Sequence, residues 1–190
     1  IAVLGSGTMG GQIAAQFANL GFEVFMFDVN EEVLAKSLAV LKKLKPPDLA
    51  SQSVIDLIKT STYESLDILA QCDFIIESVV ENLDIKKHLF ANIAPYVNDN
   101  AVLVTNTSGL SIQKIAEHSP EQLRSRIFGV HFFNPPRYLP LVEIIRTSFS
   151  DEKLLSKAEG FITSALGKEV VYALDYPAFV ANMIWVFSFL

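Results

Sequence analysis

The sequence begins with Ile1-Ala2-Val3-Leu4-Gly5-Ser6-Gly7-Thr8-Met9-Gly10, a segment that indicates the fold class of the whole chain. Four apolar residues in a row are typical of a strand buried on both faces, as in a parallel sheet. The three glycines that follow have G-x-G-x-x-G spacing, and an apolar helix pattern begins after them. In this arrangement the glycines allow a tight turn, close approach of a phosphate, and tight packing of helix on strand. The stretch therefore predicts a pyrophosphate site at the N-terminus of a helix.

An acidic residue follows at the distance that a dinucleotide site requires. Asp28 ends the next apolar run, about 20 residues after the last glycine. A carboxylate there accepts hydrogen bonds from the adenosine ribose hydroxyls and repels a 2′-phosphate, which favours NAD over NADP. The alternative is that Asp28 and Asn30 only cap the next helix. With strand, glycines, helix and acid in register, we predict dinucleotide binding.

Composition sets limits on the function. The 190 residues are 51% hydrophobic and carry a formal net charge of −6 with no basic block, which argues against a nucleic-acid partner. A single cysteine, Cys72, excludes an internal disulfide and fits a reducing compartment. No Cys or His pattern suggests a metal site. The apolar run 178–190 is shorter than the roughly 20 residues that span a bilayer, so we expect no membrane span and interpret the run as a core or interface helix.

Strand and helix patterns alternate along the chain, which predicts an α/β fold with a doubly wound, mostly parallel sheet of Rossmann type. The strands near His131 and Glu143 are joined too briefly for a crossover helix, so we expect that pair to be antiparallel. In the helix predicted at 82–96, Ile85, Leu89 and Ile93 are expected to form the buried stripe. Further strands are predicted at 59–63, 73–80, 101–105, 126–133, 141–146 and 169–172, and helices at 31–45, 51–58, 112–118 and 151–165.

One carboxylate lies within an apolar strand and needs a partner. Glu143 is flanked by Leu141-Val142 and Ile144-Ile145, and His131 is the histidine on an apolar strand one short connection away. Such a pair makes a good general base, because the carboxylate fixes the imidazole tautomer and stabilises the imidazolium. An ordinary histidine pKa of about 6.5 suits proton removal near neutral pH. The alternative is a purely structural hydrogen bond beneath a proline turn.

Five motifs occur in an order that is typical of one enzyme family. Together they resemble the NAD-binding domain of the L-3-hydroxyacyl-CoA dehydrogenases, along essentially the whole chain. The resemblance implies NAD-dependent oxidation of (S)-3-hydroxyacyl-CoA to 3-oxoacyl-CoA in fatty-acid β-oxidation. The motifs are Gly5-x-Gly7-x-Met9-Gly10, Val80-Glu81-Asn82-Leu83-x-x-Lys86, Asn106-Thr107-Ser108, Gly129-x-His131-Phe132-Phe133-Asn134-Pro135 and Leu141-Val142-Glu143.

The same resemblance implies roles for individual residues. His131 corresponds to the base that takes the 3-hydroxyl proton, and Glu143 to its orienting carboxylate. Ser108 corresponds to a serine that touches substrate and nicotinamide ribose, and Asn182 to an asparagine that holds the substrate's oxygen. Taken alone, a lysine such as Lys86 would be a solvated helix residue and Ser108 a turn or cap. The implied cofactor-binding positions are Gly5, Gly7, Thr8, Met9, Gly10, Asp28, Glu81, Lys86, Ser108 and Asn134.

The resemblance also implies the domain organisation and partners. Residues 1–176 are expected to form the NAD-binding domain, and 177–190 the first helix of a truncated α-helical C-terminal domain that covers the substrate and forms a homodimer. The protein is expected to stand alone or to be fused to an enoyl-CoA hydratase, in the cytoplasm or, in a eukaryote, in mitochondria or peroxisomes. Two alternatives stay open: a related hydroxy-acid or sugar-acid dehydrogenase, and a non-catalytic NAD-binding protein of crystallin type.

Overall fold

The structure, a computed structural model, describes residues 1–176. The predicted helix at 177–190 lies outside the described residues. The strands are β1 (Ala2–Leu4), β2 (Val24–Asp28), β3 (Ile58–Thr62), β4 (Phe74–Glu77), β5 (Val102–Thr105), β6 (Ile127–Phe132), β7 (Leu141–Ile145) and β8 (Glu169–Ala173). The helices are α1 (Thr8–Asn19), α2 (Glu31–Leu41), α3 (Leu83–Ile93), α4 (Ile112–Glu117), α5 (Glu121–Arg124) and α6 (Glu152–Ser164), with short 3-10 helices at Gln52–Leu57 and Leu66–Gln71.

All eight strands form one sheet in the order β3-β2-β1-β4-β5-β6-β7-β8. Every neighbouring pair is parallel except β6 and β7, which are antiparallel as predicted. The chain runs outward from β1 through β2 to β3 and then returns to the other side of β1 at β4. This reversal creates a crevice at the carboxyl ends of β1 and β4, where open α/β sheets bind ligands. The predicted doubly wound, mostly parallel architecture is confirmed.

Helices cover both faces of the sheet and bury it completely at its centre. On one face Ile13 and Phe17 of α1 pack with Ile162 of α6 against the strands. On the other face Phe90 of α3 and Ile115 of α4 do the same. Burial on both sides explains why the central strands are apolar runs and do not alternate with polar residues.

Two helix predictions need correction. The helix predicted at 31–45 ends earlier, at Leu41, ahead of Pro46, which has no N–H to donate to a helix. In α3, Leu89 and Ile93 are buried as expected, but Ile85 is 45% exposed. The side chain buried in the first turn of α3 is Lys86, which turns towards the sheet to meet a buried carboxylate.

Helix starts follow from the side chains that precede them. Asn30 accepts a hydrogen bond from the N–H of Val33 at the start of α2, and Asn82 accepts one from Ile85 at the start of α3. Such caps satisfy N–H groups that have no partner within the helix.

In the described part of the chain, no helix is both long and apolar enough to cross a bilayer.

Candidate active site

The glycine turn joins β1 to α1 at the centre of the crevice. Gly5 has φ of +101°, and a Cβ there would lie 2.6 Å from the carbonyl oxygen of Ser78. A Cβ on Gly10 would lie 1.9 Å from the carbonyl oxygen of Gly5, so the helix can pack this closely only without a side chain. A Cβ on Gly7 would meet no atom within 4 Å, which leaves the space above the first helical turn open for a phosphate.

A cavity of about 400 Å³ lies on the β2 side of the glycine turn. Asp28 is on its wall, and its Oδ2 accepts 2.7 Å hydrogen bonds from both the N–H and the hydroxyl of Ser6. Its Oδ1 accepts from the N–H of Val29 at 2.7 Å. These bonds fix the carboxylate beside the turn, where the sequence predicts a ribose contact. The walls are otherwise largely apolar and include Val79 and Val80, which suits a flat base.

A second cavity, of about 300 Å³, lies on the β5 side of the turn. It brings together residues that are far apart in the sequence. An extended ligand over the glycine turn would reach both cavities, since Gly7 contributes to each. The predicted cofactor residues on its wall are Gly7, Thr8, Met9, Glu81, Lys86 and Ser108.

A buried ion pair supports this second cavity. Lys86 and Glu77 are both 0% exposed, and Lys86 Nζ lies 2.6 Å from Glu77 Oε1. The remaining oxygen, Oε2, accepts a hydrogen bond from the Thr105 hydroxyl at 2.5 Å. A charge can be buried at this depth only when it is paired and hydrogen-bonded. The alternative interpretation of Lys86 as a solvated lysine on the helix surface is therefore wrong.

Glu81 connects this ion pair to the loop that carries Ser108. Its Oε2 lies 3.3 Å from Lys86 Nζ, and its Oε1 accepts hydrogen bonds from the N–H groups of Ser108 at 2.7 Å and Gly109 at 2.9 Å. Burial opposes ionisation of Glu81. The N–H of Ser108, the charge of Lys86 and the N–H of Gly109 outweigh it and hold the pKa of Glu81 below its ordinary value of 4.5. The carboxylate thus stays ionised and orients the Ser108 loop.

The predicted His–Glu pair forms on the antiparallel strands. His131 on β6 is the register partner of Glu143 on β7, and Nδ1 lies 2.8 Å from Oε2. Both side chains are buried, at 7% and 1% exposure. The ring of Phe133 contacts the imidazole edge to face, with centroids 4.8 Å apart. Asn106 Oδ1 accepts from the N–H of Phe132 and so links the ends of β5 and β6.

Two of the predicted site residues, both asparagines, differ from the others in what the structure shows of them. Asn134 is exposed just beyond β6, and Asn182 lies outside the described residues. Glu77 is the residue that the sequence interpretation missed. Its signal was present: like Glu143, it is a carboxylate attached to an apolar strand. In the part of the chain that the structure describes, no group of three or more His, Cys, Asp or Glu side chains could hold a metal ion.

Comparisons with known proteins agree with this geometry. Residues 1–176 match the family model described as 3-hydroxyacyl-CoA dehydrogenase, NAD binding domain. The chain is 35% identical to a putative fatty acid oxidation complex trifunctional enzyme of Rickettsia felis, over 98% of this chain and 27% of that protein. It is 34% identical to the human mitochondrial hydroxyacyl-coenzyme A dehydrogenase, over 98% of this chain and 62% of the relative.

Solved structures give the same picture. The crystal structure of FadB2 from M. tuberculosis superposes with a TM-score of 0.82 at 33% identity, and the match covers 97% of this chain and 67% of that one. The chain thus spans between about a quarter and two thirds of the length of these relatives.

Proposed function

This chain belongs to the 3-hydroxyacyl-CoA dehydrogenase family, whose NAD-binding domain its residues 1–176 match, and we propose that it oxidises (S)-3-hydroxyacyl-CoA to 3-oxoacyl-CoA. The observation that carries this proposal is the buried pair of His131 and Glu143, 2.8 Å apart. The pair lies in the same sheet as a glycine turn that fits a dinucleotide. A histidine held by a carboxylate is the base that oxidation of an alcohol requires.

The tautomer of His131 determines which of its nitrogens accepts the substrate's proton. With Nδ1 donating to Glu143, the neutral imidazole of His131 carries its lone pair on Nε2, which accepts the proton of the 3-hydroxyl. The carboxylate stabilises the imidazolium that results. Bound NAD supplies the acceptor for the hydride that leaves C3. Glu81 orients Ser108 towards the substrate and the nicotinamide ribose, and Asn182 holds the substrate's oxygen.

We propose that the cofactor spans the two cavities beside the glycine turn. The residues around the glycine turn, Thr8 and Met9 included, would face the pyrophosphate, and Asp28 would accept hydrogen bonds from the ribose hydroxyls of the adenosine half. Glu81 and Lys86 lie on the nicotinamide side, where Asn134 adds a further contact. This division is supported by the open space above Gly7 and by the fixed carboxylate beside it.

The whole protein's partners follow from the same proposal. We propose that the whole protein binds an acyl-CoA and forms a homodimer. The Rickettsia relative, named as a trifunctional enzyme, supports a fusion to further enzymatic domains, and an enoyl-CoA hydratase is the fused domain that we propose. The lone, buried thiol of Cys72 and the mitochondrial human relative support a reducing compartment, either the cytoplasm or an organelle of a eukaryote.

The decisive experiment is reduction of acetoacetyl-CoA with NADH by the native protein and its His131→Gln variant. We expect kcat to fall by about 10²- to 10⁴-fold, the usual contribution of a general base, while NADH affinity is kept. His118→Gln is the matched control, because His118 is an exposed histidine at the end of α4. A native protein that binds NADH but does not reduce acetoacetyl-CoA would favour a different hydroxy acid or a non-catalytic role.

A further inference from the structure

Among the described residues, one side chain that lines the adenosine-side cavity carries a buried hydroxyl without a hydrogen-bond partner. Tyr63 follows β3, and its ring stacks on Phe27 with centroids 6.4 Å apart and an interplanar angle of 11°. Its hydroxyl oxygen is buried, and no group in residues 1–176 forms a hydrogen bond with it. Leaving a buried hydroxyl unpaired costs free energy, so native proteins rarely keep one without a reason.

The position of Tyr63 suggests the reason. Its side chain lines the same cavity of about 400 Å³ as Asp28. Most of the remaining side chains on that wall are apolar, among them Val33, Val80 and Ile85. A cavity with apolar walls and a few convergent polar groups is the usual form of a small-molecule site, and the polar groups then determine orientation.

The tyrosine is a donor in this environment. Burial, followed by the nearby carboxylates of Asp28 and Glu77, raises the pKa of the Tyr63 phenol above its ordinary value of 10.0. The hydroxyl therefore keeps its proton at every pH at which the protein works. Asp28 is an acceptor on the same wall, so the cavity offers a ligand one donor and one acceptor.

We propose that Tyr63 donates a hydrogen bond to the adenosine half of NAD, at a ring nitrogen or a ribose oxygen, and so acts beside Asp28 as a second specificity residue for the cofactor. This inference rests on the proposed placement of the adenosine in this cavity. The two side chains recognise different ligand groups. The Asp28 carboxylate accepts hydrogen bonds from ligand hydroxyls, whereas the Tyr63 hydroxyl donates a hydrogen bond to a ligand nitrogen or oxygen that a carboxylate would repel. The stacking on Phe27 holds the phenol ring in place.

Tyr63→Phe tests the proposal, because phenylalanine keeps the ring and removes only the hydroxyl. Two quantities are measured: the melting temperature without ligand, and the Kd of ADP-ribose by calorimetry. We expect an unchanged or higher melting temperature, since no bond within the protein is lost. We expect the Kd of ADP-ribose to rise roughly three- to tenfold, the usual effect of one hydrogen bond. Reduced nicotinamide mononucleotide, which lacks the adenosine, should bind equally to both proteins.

Tyr96→Phe is the matched control, because Tyr96 is exposed just beyond α3 and should change neither quantity. Equal affinity of Tyr63→Phe and native protein for ADP-ribose would overturn the inference. So would a lower melting temperature without ligand, or a parallel loss of affinity for both ligands, since each would mean a structural role. Failure of the native protein to bind ADP-ribose would instead contradict the proposed cofactor site itself.

Discussion

Two carboxylates lie on apolar strands of the same sheet and have different partners. Glu77 on β4 pairs with Lys86, and both are fully excluded from solvent. Glu143 on β7 pairs with His131, which is almost as deeply buried. The nitrogen–oxygen distances of the two pairs are similar, at 2.6 Å and 2.8 Å. The first pair joins β4 to α3, and the second joins β7 to β6.

The difference lies in what the partner can do with a proton. The ammonium of a lysine only donates hydrogen bonds, so the Lys–Glu pair serves as a fixed structural element. The imidazole of a histidine has two nitrogens, so it can contact the carboxylate through one of them and pass a proton through the other during a reaction. The same sequence signal, an acid in an apolar strand, therefore marks a structural ion pair at Glu77 and, at Glu143, the pair that we propose to be catalytic.

The largest effect is expected from breaking the structural pair. Lys86→Met leaves Glu77 as a buried charge without its cation, and we expect the free energy of unfolding to fall by about 3–5 kcal/mol. Urea denaturation measures this change. Adding Glu77→Gln to Lys86→Met removes the charge and should restore most of the loss. Lys87→Met, at the exposed neighbouring position, is the control and should cost less than about 0.5 kcal/mol.

The pair that we propose to be catalytic, His131 and Glu143, should affect activity more than stability. Glu143→Gln keeps a hydrogen-bonding group next to His131 but cannot stabilise the imidazolium, so we expect kcat to fall by about 100-fold or more. The unfolding free energy should fall less than in Lys86→Met. Steady-state kinetics and urea denaturation on the same variant separate the two effects. Glu169→Gln, exposed at the start of β8, is the control. An unchanged kcat with a large loss of stability would make this pair structural too.

The smallest effect concerns Glu81, which touches the structural pair and is 40% exposed. Its folded pKa lies below that of the unfolded chain. Its contribution to stability is therefore complete above the unfolded pKa of about 4.5 and is lost as the pH falls towards the folded value. Glu81→Gln removes this term, so its melting temperature should fall less steeply than that of the native protein between about pH 5 and pH 3.

The exposed Glu64→Gln serves as the control for this pH series. Its curve of melting temperature against pH should run parallel to the native one. If the Glu81→Gln curve were parallel as well, the hydrogen bonds from Ser108 and Gly109 would not stabilise the ionised carboxylate.

Much of this arrangement could be predicted from local patterns. The glycine spacing predicts the turn that Gly5 and Gly10 form, and the position of Asp28 after its strand predicts the ribose side. The short connection between β6 and β7 predicts their antiparallel pairing, and Glu143 within an apolar strand predicts its contact with His131. Each of these depends on neighbouring residues or on a single chain reversal.

What could not be predicted depends on the distant packing of side chains. A loop and the first turn of α3 separate Lys86 from Glu77 in the sequence. The orientation of α3 on the sheet directs the Lys86 ammonium inward and leaves Ile85 exposed, and local patterns do not contain this orientation. The hydrogen bonds of Glu81 to the Ser108 loop join separate connections. The orphan hydroxyl of Tyr63 becomes visible only when the whole cavity is assembled.

If His131 takes the substrate's proton, as proposed, its imidazole must contact the substrate in a crystal structure of the native protein with NAD and acetoacetyl-CoA. We expect His131 Nε2 to lie within about 3.2 Å of the 3-oxygen of the substrate, with Nδ1 still bonded to Glu143. An imidazole that faces away from that oxygen, or a substrate seated elsewhere while the pair stays intact, would contradict this proposal.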